Sequence, residues 1–203
     1  MVAVPARRRL TVDEYYQMAE VGILRPHERV ELIDGEIIQM SPIGDRHAAA
    51  VDAANAVFSG AVGQRTIVRI QNPVRIDGYN DPQPDLQLLR PRADYYAGRP
   101  PRPPDVLLII EVADSSLMYD RWTKLPIYAQ AGIPEAWLVD LTSDALEVHR
   151  QPGPQGYSVV RRFRRGERVA PQALPDVMIA VDDLLPVPIQ DAEDSEQDTS
   201  TDI

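Results

Sequence analysis

Cysteine is absent from this 203-residue chain, so neither a disulfide nor a thiolate metal site can form, and the composition fits a reducing compartment. Long apolar runs are missing too. No stretch reaches the roughly 18 apolar residues of a bilayer span. The N-terminal "MVAVPARRRLTVDEYY" turns acidic and amphipathic before the apolar centre of an export signal could develop. The expectation is a soluble, cytoplasmic protein with no membrane partner. Internal repeats are lacking as well, which sets aside a solenoid or propeller. The scarcest residue after cysteine is lysine: of 21 Lys and Arg, only Lys124 is lysine. Arginine and lysine serve equally on a solvated surface. They differ where a compact ammonium must sit against a reacting oxygen or shed its proton, so Lys124 is a candidate for chemistry.

What is abundant is negative charge, and it is unevenly placed. The formal net charge is −10, but the C-terminal "DAEDSEQDTSTDI" carries six acids and no cation, leaving −4 for residues 1–190. We read residues 1–190 as one domain, with 44% hydrophobic content enough for a substantial core, and residues 191–203 as an acidic disordered tail. A mildly acidic body argues against tight nonspecific binding to a polyanion, which takes several cations. A local basic strip in "VVRRFRRGER" remains open, against the plainer reading of a solvated hairpin with arginines outward.

Thr11 with Glu14 three residues on makes a capping-box pattern, predicting a helix over Val12–Glu20. "RVELIDGEIIQM" alternates about Asp34-Gly35, which predicts a two-residue hairpin between strands Arg29–Ile33 and Glu36–Met40. The alanine-rich "RHAAAVDAANAVFSGAV" predicts a second helix, and "TIVRIQNPVRI" and "QPDLQLLRP" predict strands set off by Pro73 and Pro84. Asp105–Ala113, "DVLLIIEVA", is a continuous apolar run interrupted by one charge, the pattern of a strand buried on both faces. "DRWTKLPIYAQAG" predicts a helix that Pro126 bends, and "EAWLVDL", "ALEVHRQ", "YSVVRRF" and "VMIAV" predict further strands. The order describes an α/β fold, a mixed β-sheet flanked by helices with additional β-hairpins.

Three residues in that layout carry chemistry. Asp85 follows Pro84 at the start of a strand, and Glu111 lies near the end of the buried one, where an unpartnered carboxylate would cost several kcal/mol. Lys124 follows on the next helix and can fold back towards both. Each has a bland reading on its own: a turn residue, the partner of a buried arginine, a surface cation. Together, two carboxylates and a backbone carbonyl are hard oxygen ligands suited to Mg²⁺ or Mn²⁺, and a lysine beside them could orient or deprotonate a water. The reaction served best is phosphodiester hydrolysis. By the same weighing, Asp114 and Asp120 fit loop or helix-cap roles, and Tyr128 and Trp137 fit the core.

The segments "RVELIDGEI", "QPDLQLL", "IIEVADSS" and "YDRWTKLPIYAQAGIPEAWLVD", in that order, resemble the Uma family, a branch of the PD-(D/E)XK restriction-endonuclease-like superfamily. The resemblance spans roughly Leu10 to Pro186. It implies a restriction-endonuclease-like fold, a Mg²⁺- or Mn²⁺-dependent endonuclease with nucleic acid, DNA first, as partner, and a possible homodimer. Asp85 and Glu111 are the implied metal ligands, and Val112 gives a main-chain carbonyl to the same ion. The superfamily's lysine position is Ala113 here, and Lys124 matches the place on the next helix where this branch carries it. Glu31 and His47 match a glutamate and a histidine of the family. A role for Glu31 at the site stands level with a solvated hairpin acid, and a capping or surface role is the plainer one for His47. The alternative is a non-catalytic interaction or scaffold protein that keeps the nuclease fold, which the −4 body charge and the lack of a DNA-reading module favour.

Overall fold

Asp34 and Gly35, at φ 51° and 74°, take the left-handed dihedrals that close a tight hairpin between β1 (Val30–Ile33) and β2 (Glu36–Gln39). A side chain at Gly35 would also collide with Arg9, whose Cβ lies 2.6 Å from where it would sit. The computed structural model describes residues 7–186, so the acidic tail expected over 191–203 lies outside the described residues. Ahead of the hairpin, Thr11 and Glu14 form the expected capping box and start α1 (Val12–Glu20).

The main sheet has six strands in the order β3-β4-β5-β6-β7-β8: Ile67–Ile70, Leu86–Leu89, Val106–Ala113, Glu135–Asp140, Ala145–Gly153 and Gly156–Arg164. All neighbours are antiparallel except β5 and β6. That one parallel pair requires a crossover, and the helical segment between them supplies it. Because β5 alternates between two buried faces, Leu108, Ile110 and Val112 pack with Ala54 and Phe58 of α2 (Asp45–Val62) and with Trp137. Ile109 and Ala113 pack on the opposite face, under Leu125 and Tyr128 of the crossover. Glu111 shares that second face, so the alternation alone aims it at the crossover helix.

The crossover differs from a simply bent helix. It runs as α3 (Leu117–Tyr119), a π-helical turn over Asp120–Lys124, and α4 (Leu125–Gln130). The Leu125 N–H reaches back five residues to the Asp120 carbonyl. Pro126 has no N–H to close the normal ladder, and the wider turn absorbs the mismatch. Two expected strands also shrink. "TIVRIQNPVRI" pairs only through Ile70, because Gln71 turns at φ 47° and Pro73 cannot donate, and "VMIAV" keeps only β10 (Ile179–Ala180) against β9 (Arg168–Val169). No described helix is long and apolar enough to cross a membrane.

The hairpin is tied to the chain leading into β4 by a buried junction. The Asp81 N–H donates to the Leu32 carbonyl at 2.8 Å, the Asp34 N–H to Asn80 Oδ1 at 2.7 Å, and Tyr16 OH to Asp81 Oδ2 at 2.7 Å. Asp81 Oδ1 is buried with no partner, and burial pushes this carboxyl above its ordinary range, against the Tyr16 bond and the Arg75 charge. A raised folded value means stability that is whole below the unfolded pKa of about 4 and lost as pH rises through the folded one. Asp81→Asn should therefore gain on the wild type as pH rises above about 4. Urea melts of both proteins at pH 4 and pH 7.5 check it; an equal difference at both pH values would contradict it.

Candidate active site

Strand β4 begins one residue late, and that offset builds the site. Leu86 faces Ile110, so carrying the register on by two residues would set Val112 against Pro84, which has no N–H to give. The ladder stops there, and Asp85 takes over: its Oδ2 accepts the Val112 N–H at 2.9 Å. The N–H and C=O of one strand residue point the same way, so the Val112 carbonyl also faces this opened edge without a ladder donor.

Asp85 further accepts from Gln71 Nε2 at 3.2 Å and lies 3.2 Å from His47 Nε2, in the first turn of α2. Burial pushes Asp85 up. The His47 bond and charge, the Lys124 charge and the Val112 N–H outweigh it and hold the carboxyl below its usual range. His47 is held above its ordinary value by the Asp85 bond. Structure thus brings His47 to the site rather than leaving it as a surface cap.

Glu111, 2% exposed, meets Lys124, 4% exposed, with Nζ 2.8 Å from Oε1. Tyr128 OH donates to the same oxygen at 2.6 Å. Lys124 also stands 3.5 Å from Glu31 Oε2, which accepts the Gln83 N–H at 3.0 Å. Asp120, one π-turn before Lys124, is buried too and accepts Ser116 Oγ at 2.6 Å. Glu111 and Glu31 therefore share one ammonium, whose charge also reaches Asp120 and Asp85. Burial pushes Glu111 up to about 8, with Lys124 opposing and Asp120 and Asp85 reinforcing. Burial also pushes Asp120 up. Burial alone would lower Lys124, but Glu111, Glu31 and Asp120 more than reverse it and keep the ammonium charged.

These groups line a cavity of about 440 Å³. Asp85, Glu111, Val112, Lys124 and Glu31 all reach it, as do His47 and Asp120. Asp120 lines the cavity instead of serving as a plain cap or loop residue, whereas Tyr128 lies in the core as expected and only its hydroxyl reaches Glu111. The four-residue step from Asp120 to Lys124 was the available signal, since it sets both on one helical face.

Among the described residues, no three acidic or histidine side chains converge as a ready-made metal cage. A divalent ion nonetheless fits the donor set. Asp85, Glu111 and the Val112 carbonyl are hard oxygens, and a Mg²⁺ ion keeps several of its waters, so it needs few protein ligands.

The comparisons with known proteins bear on the family and the fold. The model of the family Uma2, described as "Putative restriction endonuclease", matches residues 12–182. A solved structure from Anabaena variabilis, described as a putative nuclease belonging to DUF820, shares 17% sequence identity at a TM-score of 0.66. The match covers 86% of this chain and 97% of that one, and at that identity it speaks for the fold. No curated protein matches the chain.

Proposed function

Because the chain belongs to the Uma2 family, we propose that it is a nuclease, a Mg²⁺-dependent endonuclease that hydrolyses phosphodiester bonds in DNA. The observation that carries this reading is the meeting of Asp85, Glu111 and Lys124 around the opened edge of β5, with a free main-chain carbonyl beside them. Asp85, Glu111 and the Val112 carbonyl would hold the metal. When bound, it polarises a phosphoryl oxygen of the substrate.

The chain's own residues do the rest. Lys124 stays protonated under its neighbouring carboxylates, so it acts as a donor and not as a base: it orients the attacking water and offsets charge growing on the phosphoryl oxygens. Glu31 and Tyr128 fix that ammonium and Glu111 in place. His47 and Gln71 do the same for Asp85. As the water oxygen adds to phosphorus it gives up a proton to bulk solvent, and as the bond to the leaving oxygen breaks that oxygen takes up a proton in turn.

Supercoiled plasmid is the direct test. Wild type is expected to nick and linearise it with Mg²⁺ or Mn²⁺ and to stop in EDTA, while Asp85→Ala, purified identically, does neither. Equal cutting by both proteins would mean a contaminating nuclease. No cutting of plasmid or RNA under any metal would leave a scaffold that keeps the fold.

A further inference from the structure

One cation in the cavity is left alone by the acids around it. Arg29 lines the cavity immediately before β1 and two residues before Glu31. Its carbonyl accepts the Met40 N–H at 2.9 Å, which continues the hairpin ladder, so Arg29 and Glu31 leave the same face of an extended chain. Among the described residues no carboxylate pairs with this guanidinium. Its contact is Nη1 donating to the Ser41 carbonyl at 2.9 Å, which uses one of five N–H donors. The other basic side chains that line the cavity are committed: Lys124 to Glu111 and Glu31, and His47 to Asp85.

An arginine held at the mouth of an acid-rich cavity, yet unpaired with any acid, has its fork free for an anion that comes with the substrate. Guanidinium geometry matches two oxygens of a phosphate. Met40, Pro42 and Ile43 line the same cavity and offer an apolar wall to the sugar and base. We propose that Arg29 is a substrate-binding residue that grips a phosphodiester flanking the scissile one. This rests on the nuclease reading above. The hydrogen bond to Ser41 then keeps the side chain extended along the cavity wall before substrate arrives.

Salt dependence separates a phosphate grip from a mere brace of the Ser41 segment. Each phosphate contact adds about 0.9 to the slope of log affinity against log salt for duplex DNA. Binding of a short duplex, followed by anisotropy with Ca²⁺ replacing Mg²⁺, is expected to weaken about 10-fold in Arg29→Ala, with the slope smaller by about 0.9. Arg29→Lys should keep the slope and lose only part of the affinity, because charge is retained and the fork is not. In cleavage, the loss should fall on KM more than on kcat. An Arg29→Ala protein with an unchanged slope, or one whose loss lies in kcat with normal binding, would overturn the role of Arg29 while the nuclease reading stands. A wild type that neither binds nor cuts nucleic acid would overturn both.

Discussion

Replacing Lys124 with methionine should lower Mg²⁺-dependent plasmid cleavage by about 100- to 1,000-fold, the loss expected when one charge-stabilising donor is removed from a buried site. Methionine keeps the length and the apolar stem and removes the ammonium alone. The same change should destabilise the metal-free protein. Glu111, Glu31 and Asp120 lose their shared cation, and stripping one partner from a buried pair costs about 3–5 kcal/mol. That cost is smaller at low pH, because Glu111, raised to about 8, is largely protonated below that value and leaves less negative charge unpaired. The deficit should therefore be larger at pH 9 than at pH 6. Urea melts at both pH values read the stability, and initial nicking rates read the activity.

Lys124→Arg is the sharper companion. Charge is kept, yet the slot is 4% exposed and shaped for a point cation between Glu111 and Glu31. A planar guanidinium needs more room and spreads its donors over a fork. Arginine should therefore fail to restore cleavage. That would explain why a chain that uses arginine at 20 of its 21 basic positions keeps one lysine. Full activity in Lys124→Arg would show instead that any cation suffices there.

Much of this arrangement was legible because it follows from short-range rules. The Asp34-Gly35 hairpin, the Thr11–Glu14 cap and the doubly buried β5 each rest on a few neighbouring residues, and each lies where its pattern places it. The side of the sheet that Glu111 faces follows from strand alternation. Asp120 was hidden because an aspartate at the head of a helix usually caps it; only the π-turn, forced by Pro126, swings it into the cavity beside Lys124. The contacts of His47, and of the core residue Tyr128, were hidden for another reason. Their contacts with Asp85 and Glu111 join residues 38 and 17 positions apart, and no local periodicity reports a hydrogen bond across a sheet. The early end of β3 reflects Gln71, whose left-handed turn has no sequence mark.

Glu111→Gln should separate what this cluster does for activity from what it costs in stability. Glutamine keeps an oxygen to accept from Lys124 and Tyr128, and it removes the negative charge a metal needs. Changes to residues that merely support metal ligands cost about 10- to 100-fold, so losing a ligand charge should cost at least about 100-fold in cleavage. Stability should move the other way. Glu111 has a folded value of about 8, above its unfolded one near 4.5, so its contribution is whole below about pH 4.5 and is lost as pH rises to about 8. Glutamine does not titrate. The variant should match the wild type near pH 4.5, gain on it steadily to pH 8, and hold a lead of a few kcal/mol beyond. Adding Mn²⁺ should close that gap by stabilising the wild type and not the variant, because a ligand that binds only the folded state adds to its stability. A gap independent of pH would contradict the raised value of Glu111, and an equal rise of both melting temperatures with Mn²⁺ would place the metal somewhere other than Glu111.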